Sequence, residues 1–163
     1  MSLMIVSNTT PISNFLHLGQ MEILKTIFKE LHVPMAVYSE IEAYFSGNNQ
    51  WQGSLDEGFI IRTEIQTSQK IKELMTHLHM GEAEALCLCI ENNAKLCLLD
   101  DRDARIIARL NNIPISGTLG VLLKAKKMGI IESVKELMER LRTDHHYWIE
   151  DAMYNRVLNL SGE

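Results

Sequence analysis

An α/β fold on a central, mainly parallel sheet, with helices on both faces, is predicted by three observations. Short apolar runs alternate with longer segments of helical spacing. The alternation tightens in the second half of the chain. Acidic residues stand where the runs meet the helices. Acids at the ends of successive parallel strands converge on one crevice, which is where ligands of such sheets bind. The set is Glu40, Glu82, Glu84, Asp100 and Asp101, with Asn8 ending the first run where one more acid would complete it. Crowded carboxylates repel one another unless protons or a divalent cation neutralise them. Metal-dependent phosphoryl chemistry is therefore the leading expectation.

Met4 to Ser7 reads as the first strand. Thr10-Pro11 supplies an N-cap with proline at the first helical position, and that helix runs to Leu18 and stops at Gly19. Gln20 to Phe28 keeps helical spacing, with Met21, Leu24 and Phe28 on one side. Leu31 to Val33 is a second strand, and Pro34 restarts a helix carrying Tyr38, Glu40 and Ile41. Ser46 to Gly58, rich in Gly, Asn, Gln and Ser, reads as a long loop that is either mobile or functional. Phe59 to Arg62 is extended, and Ile71, Leu74 and Leu78 mark an amphipathic helix ending near His79. Then come helix 81–92, strand 96–99, helix 102–110, strand 113–115 and helix 119–128 ending at Gly129. Two further helices cover 132–141 and 149–160.

The 163 residues suit one domain, taken as 4–163, with Met1-Ser2-Leu3 read as a cloning remnant. Apolar residues at 46% and charged residues at 23% describe a soluble globular chain. The net charge of −5 argues against a broadly basic nucleic-acid-binding surface, but it allows an acidic metal site beside a local basic patch. Cys87, Cys89 and Cys97 lie in apolar surroundings without metal-ligand spacing, so reduced buried thiols and a cytoplasmic location are expected. No apolar run reaches membrane-spanning length and no signal peptide is visible.

Asp100-Asp101 closes the buried-looking run LCLLDD. One acid suffices to cap the helix that follows, so the second is a functional candidate. Asp103, one residue into that helix, suits a first turn on charge alone. Glu82 and Glu84 open a helix in GEAEAL, where acids are also expected from the helix dipole. Two residues apart, they point about 200° apart and should not both face one site. Glu40 shares its helix with Glu42 and fits a solvated face, while Asn8 fits a turn. Ser116 to Gly120 is a weak phosphate-loop candidate, with Arg102, Arg105, Arg109 and a lysine cluster at 124–127 as further phosphate contacts or simply a solvated face. Trp51 is read either as a base-stacking residue or as packing, and His145-His146 as loop.

The segments IVSNTTPISNFLHLG, VPMAVYSEI, GEAEAL, LLDDRDAR and ISGTLGVLLKAKKMGII, in that order and spacing, resemble a PIN-domain family. More narrowly they resemble prokaryotic PIN-like proteins predicted to bind nucleic acid. The resemblance implies a three-layer α/β/α domain and ribonucleases using Mg²⁺ or Mn²⁺ held by three or four acids. It puts Asn8 at the first acid position, Glu40 at the second, Glu82 or Glu84 at the third, and Asp100 or Asp101 at the fourth. The implied catalytic set is Glu40, Glu82, Glu84, Asp100 and Asp101, and the metal set Asn8, Glu40, Glu84, Asp100 and Asp101. Thr9 or Thr10 follows the first acid position, and Thr118 falls at a further polar position; with Arg102 these are the phosphate and nucleic-acid contacts. RNA is the implied substrate, cut to leave a 5′-phosphate, and an antitoxin protein the implied partner. Asn8 in place of an acid lowers the site's charge, which gives a non-catalytic binding module as the alternative. The stripe Ile149, Met153, Val157 and Leu160 makes the last helix a contact for an antitoxin or a second copy.

Overall fold

The computed structural model describes residues 3–66 and 68–163. Five short strands form one sheet: β1 (Ile5–Ser7), β2 (Leu31–Val33), β3 (Ile60–Arg62), β4 (Leu96–Leu98) and β5 (Ile115–Ser116). Their order is β3-β2-β1-β4-β5 and every pairing is parallel. The helices are α1 (Thr9–Leu18), α2 (Met21–Ile27), α3 (Met35–Phe45), α4 (Asn49–Asp56), α5 (Ser68–Leu74), α6 (Met80–Asn92), α7 (Arg102–Leu110), α8 (Thr118–Lys127), α9 (Val134–Asp144) and α10 (Asp151–Ser161).

Alternation along the strands feeds two separate cores. Leu31, Val33 and Leu98 join Ile12, Phe15, Leu24, Leu122 and Met138 on one face. Val6, Cys97 and Leu99 join Leu86, Leu88, Ala104 and Ala108 on the other. A helix layer closes each face, giving the three-layer α/β/α arrangement that the alternating pattern and the resemblance both imply.

Several boundaries differ from expectation. The segment expected as a loop over 46–58 contains α4, because Asn48 Oδ1 caps it by accepting from the backbone N–H groups of Gln50 and Trp51, both at 3.0 Å. Trp51 is 0% exposed, packed in the core, and donates from Nε1 to Glu42 Oε2 at 2.6 Å. It is a packing residue and offers no face to a base. Helix α1 starts two residues early, with Asn8 rather than Thr10 at the N-cap and Pro11 inside the first turn. Strand β5 is Ile115–Ser116 rather than 113–115, because Asn112 at φ 57° turns the chain and Pro114 only accepts, its carbonyl taking the Cys97 N–H. Among the described residues no helix is long and apolar enough to cross a membrane.

Candidate functional site

Strand order reverses beside β1, whose neighbours are β2 and β4, so the crevice lies at the carboxyl ends of β1, β2 and β4. Helices α1, α3 and α7 begin where these strands end. The N-terminus of α6 arrives there as well, since Glu82 on its first turn feels the charges of Glu40 and Asp101.

Glu40 stands at the centre of one acidic group. Thr9, at the start of α1, donates its hydroxyl to Glu40 Oε2. The space over Gly81 is what admits the carboxylate: a Cβ there would lie 2.6 Å from Glu40 Oε1. Glu82 and Glu84 flank it, contrary to the expectation that only one could. Glu82 folds back to accept from the His79 N–H at 3.1 Å, while Glu84 reaches to 3.5 Å from the Ala36 N–H at the start of α3. Long side chains thus bring two divergent positions to one neighbour, and both feel its charge. Burial raises the Glu82 pKa above its ordinary value, the His79 bond opposes this, and Asp101 and Glu40 add to the rise. Burial likewise raises Glu84, opposed by Ala36 and reinforced by Glu40.

The two neighbouring aspartates separate by role. Asp101 is exposed and caps α7, its Oδ1 accepting from the Ala104 N–H at 2.8 Å. Asp100 turns inward to the start of α8. It accepts from the Thr118 N–H at 2.8 Å and from Thr118 Oγ1 at 2.5 Å, and Thr118 Oγ1 in turn accepts from Asn14 Nδ2 at 3.0 Å. Tyr147 also hydrogen-bonds Asp100, and Arg105, which donates to the Leu99 carbonyl at 2.9 Å, lies beside it. Burial pushes the Asp100 pKa up against these stabilising contacts. Burial and the Asp100 charge push the Tyr147 phenol up as well.

Asn8 is buried, 4% exposed, at the end of β1, where its N–H bonds the Leu98 carbonyl at 3.0 Å. Thr10 is half-buried in the first turn of α1, and Arg102 is exposed at the start of α7. The sequence reading missed Asn14 and Tyr147. Asn14 was detectable, since it occupies the same stripe of α1 as Pro11, Phe15 and Leu18, all buried. Tyr147 left no such signal, because it arrives from a segment with no regular structure.

The donor types, carboxylate and amide oxygen, suit a hard cation such as Mg²⁺ or Mn²⁺. Among the described residues, no three His, Cys, Asp or Glu side chains are grouped so as to hold one ion. Glu40, Glu82, Glu84 and Asp101 are coupled through charge, while Asp100 belongs to a separate network.

A parallel sheet with strand order 3-2-1-4-5 and an acidic crevice at the carboxyl ends is the plan of a doubly wound α/β domain with its ligand site at the switch point. The chain belongs to the PIN-domain family DUF3368, whose model matches residues 4–163. PIN domains generally use divalent metals and are associated with nucleic acid. No curated protein and no solved structure matches the chain significantly.

Proposed function

We propose that this chain is a divalent-metal-dependent endoribonuclease and acts as the toxin of a toxin–antitoxin pair. The supporting observation is the convergence of acids at the carboxyl end of the sheet, where Glu82 feels the charges of Asp101 and Glu40, and Glu84 that of Glu40. Carboxylates gathered at a partly buried edge, where burial and neighbouring negative charge both disfavour the charged form, are stabilised by a bound cation. No three acids among the described residues stand grouped for one ion, so Glu40, Glu84 and Asp101 would have to draw together to hold Mg²⁺ or Mn²⁺, with Asn8 and Asp100 completing the set once Asp100 releases Thr118. A bound divalent cation would polarise the phosphodiester and neutralise charge developing on it. Glu82, outside that set, has a pKa shifted toward the range in which a carboxylate accepts a proton from attacking water. Thr10 and Arg102 would contact phosphate oxygens, and Thr9 and the buried Thr118 would do so only on releasing Glu40 and Asp100, which now take their donors. Of the stripe offered to an antitoxin or a second copy, Ile149 and Val157 pack into the chain's own core, which leaves Met153 and Leu160 as its exposed part. Calorimetry with Mn²⁺ on the wild type and on Glu40→Ala/Asp101→Ala tests the reading. Millimolar binding lost in the variant, together with Mn²⁺-dependent RNA cutting, supports it, and no binding by the wild type overturns it.

A second reading, a PIN-fold module that binds without cutting, is favoured by two observations. Asn8 stands where an acid would complete the set, and the Asp100 oxygens are already taken by Thr118. Inert wild type beside an Asn8→Asp variant that cuts RNA would establish this reading over the first.

A further inference from the structure

Beside the acidic crevice a groove of about 880 Å³ runs between α7, β5, α8 and α10. It starts at Asp100 and Asp101 and extends to Leu160 in the last turn of α10. Its charged wall carries Arg102 and Arg109 from α7 and Arg156 from α10, all exposed. Among the described residues these three form no ion pair, whereas Arg105 turns inward to the Leu99 carbonyl and Asp100. The chain as a whole carries −5, and although Glu150 and Asp101 also line the groove, the three open arginines give it a local excess of positive charge.

The rim carries Trp148, 80% exposed, although tryptophan is highly buried on average. Its neighbour Tyr147 points inward to Asp100, so adjacent residues of one short segment serve the buried network and the open groove. A free aromatic face beside unpaired guanidinium groups is the combination that holds single-stranded nucleic acid, with phosphates along the cations and a base stacked on the ring.

We infer that the α7–α10 groove is a binding channel for single-stranded RNA, with Trp148 as its base-stacking platform and Arg102, Arg109 and Arg156 as its phosphate row. This rests on the nuclease reading for the identity of the strand: a chain engaged at the crevice would lie along the groove that opens beside Asp100 and Asp101. Charge complementarity alone would also admit an acidic peptide.

The test separates binding from cutting by measuring anisotropy of a fluorescein-labelled oligouridine with the intact chain in EDTA. The expected results are low-salt binding, about tenfold weaker for Trp148→Ala and near wild type for Trp148→Phe. Arg102→Gln/Arg109→Gln/Arg156→Gln should reduce the slope of log K against log salt by about 2, from roughly 0.7 for each phosphate contact on a single strand. No binding by the wild type, or unchanged binding in both the Trp148→Ala and the arginine variants, overturns the inference. Capture of a Glu/Leu peptide in place of oligouridine, dependent on the same arginines, also overturns it. If Glu40→Ala binds RNA as the wild type does and neither protein cuts it, the groove stands and the nuclease reading fails. If the wild type cuts RNA but the groove variants bind and cut normally, only the groove fails.

Discussion

Asp100 takes two hydrogen bonds from one residue, Thr118, through its backbone N–H at 2.8 Å and its hydroxyl at 2.5 Å. The same hydroxyl accepts from Asn14 at 3.0 Å, so one side chain joins β4, α8 and α1. Thr118→Val keeps the shape and removes both functions of the hydroxyl. It should cost about 1–3 kcal/mol in urea unfolding, because a buried acceptor and a buried donor lose their partner. Thr118→Ser should recover most of that loss.

Two glycines beside acids should behave differently on substitution. At Gly117 a Cβ would stand 2.5 Å from Asp100 Oδ1 and 2.9 Å from Arg105 Nη1, both held by other bonds. Gly117→Ala should destabilise by about 1–3 kcal/mol. At Gly81 the obstructing group is the exposed Glu40 carboxylate, which can swing away. Gly81→Ala should leave the melting temperature within about 2 °C of wild type while weakening Mn²⁺ binding, the two being read by thermal melting and calorimetry.

The raised pKa values of Glu82 and Glu84 fix the sign of a pH effect. Their unfolded value is near 4.5 and their folded values lie above it. Their protonation therefore favours the fold, a contribution fully present below about pH 4.5 and lost as pH rises through the folded values. Glu82→Gln/Glu84→Gln should melt roughly 2–4 °C above wild type at pH 7, and the difference should vanish at pH 4. Millimolar Mn²⁺ should raise the melting temperature of the wild type alone.

Glu163 gives the opposite slope. Its carboxylate accepts from Ser133 Oγ at 2.7 Å and from the Val134 and Lys135 N–H groups at 2.8 and 3.3 Å, at the start of α9. Partial burial raises its pKa, but these bonds outweigh that and hold it at about 2. Its contribution is present above about pH 4.5 and lost as pH falls toward 2. Glu163→Gln should lower the melting temperature at pH 7 by a few degrees and leave it unchanged at pH 2.

The sheet was legible because its strands are apolar runs bounded by acids, prolines and turns, and LCLLDD marked β4 and its end without any long-range information. Helix α4 was not legible. Its Asn, Gln and Gly composition reads as loop, and only the burial of Trp51 and the Asn48 cap make a helix of it. The pair Glu82 and Glu84 misled for a related reason. Helical geometry fixes where a Cβ points, but a glutamate carboxylate can travel back to its own helix start or across to another. Asp100 and Asp101 looked equivalent in sequence, and which of them turned inward depended on Thr118, far away in the chain. Tyr147 reaches the site from an irregular segment whose path no local pattern sets.

The position of β1 at the centre of the sheet has a consequence for how the molecule is made. Its β2 edge is paired by the next strand in sequence, but its β4 edge waits for residues 96–98. At typical synthesis rates, those roughly 90 intervening residues take about 5–20 s to emerge, leaving an open strand edge on the growing chain. Val6, 0% exposed in the finished molecule, shares its core with Cys97 and Leu99, which arrive only at the end of that interval. Nascent chains stalled before β4 should therefore bind chaperones or associate, and chains extended past Leu98 should not.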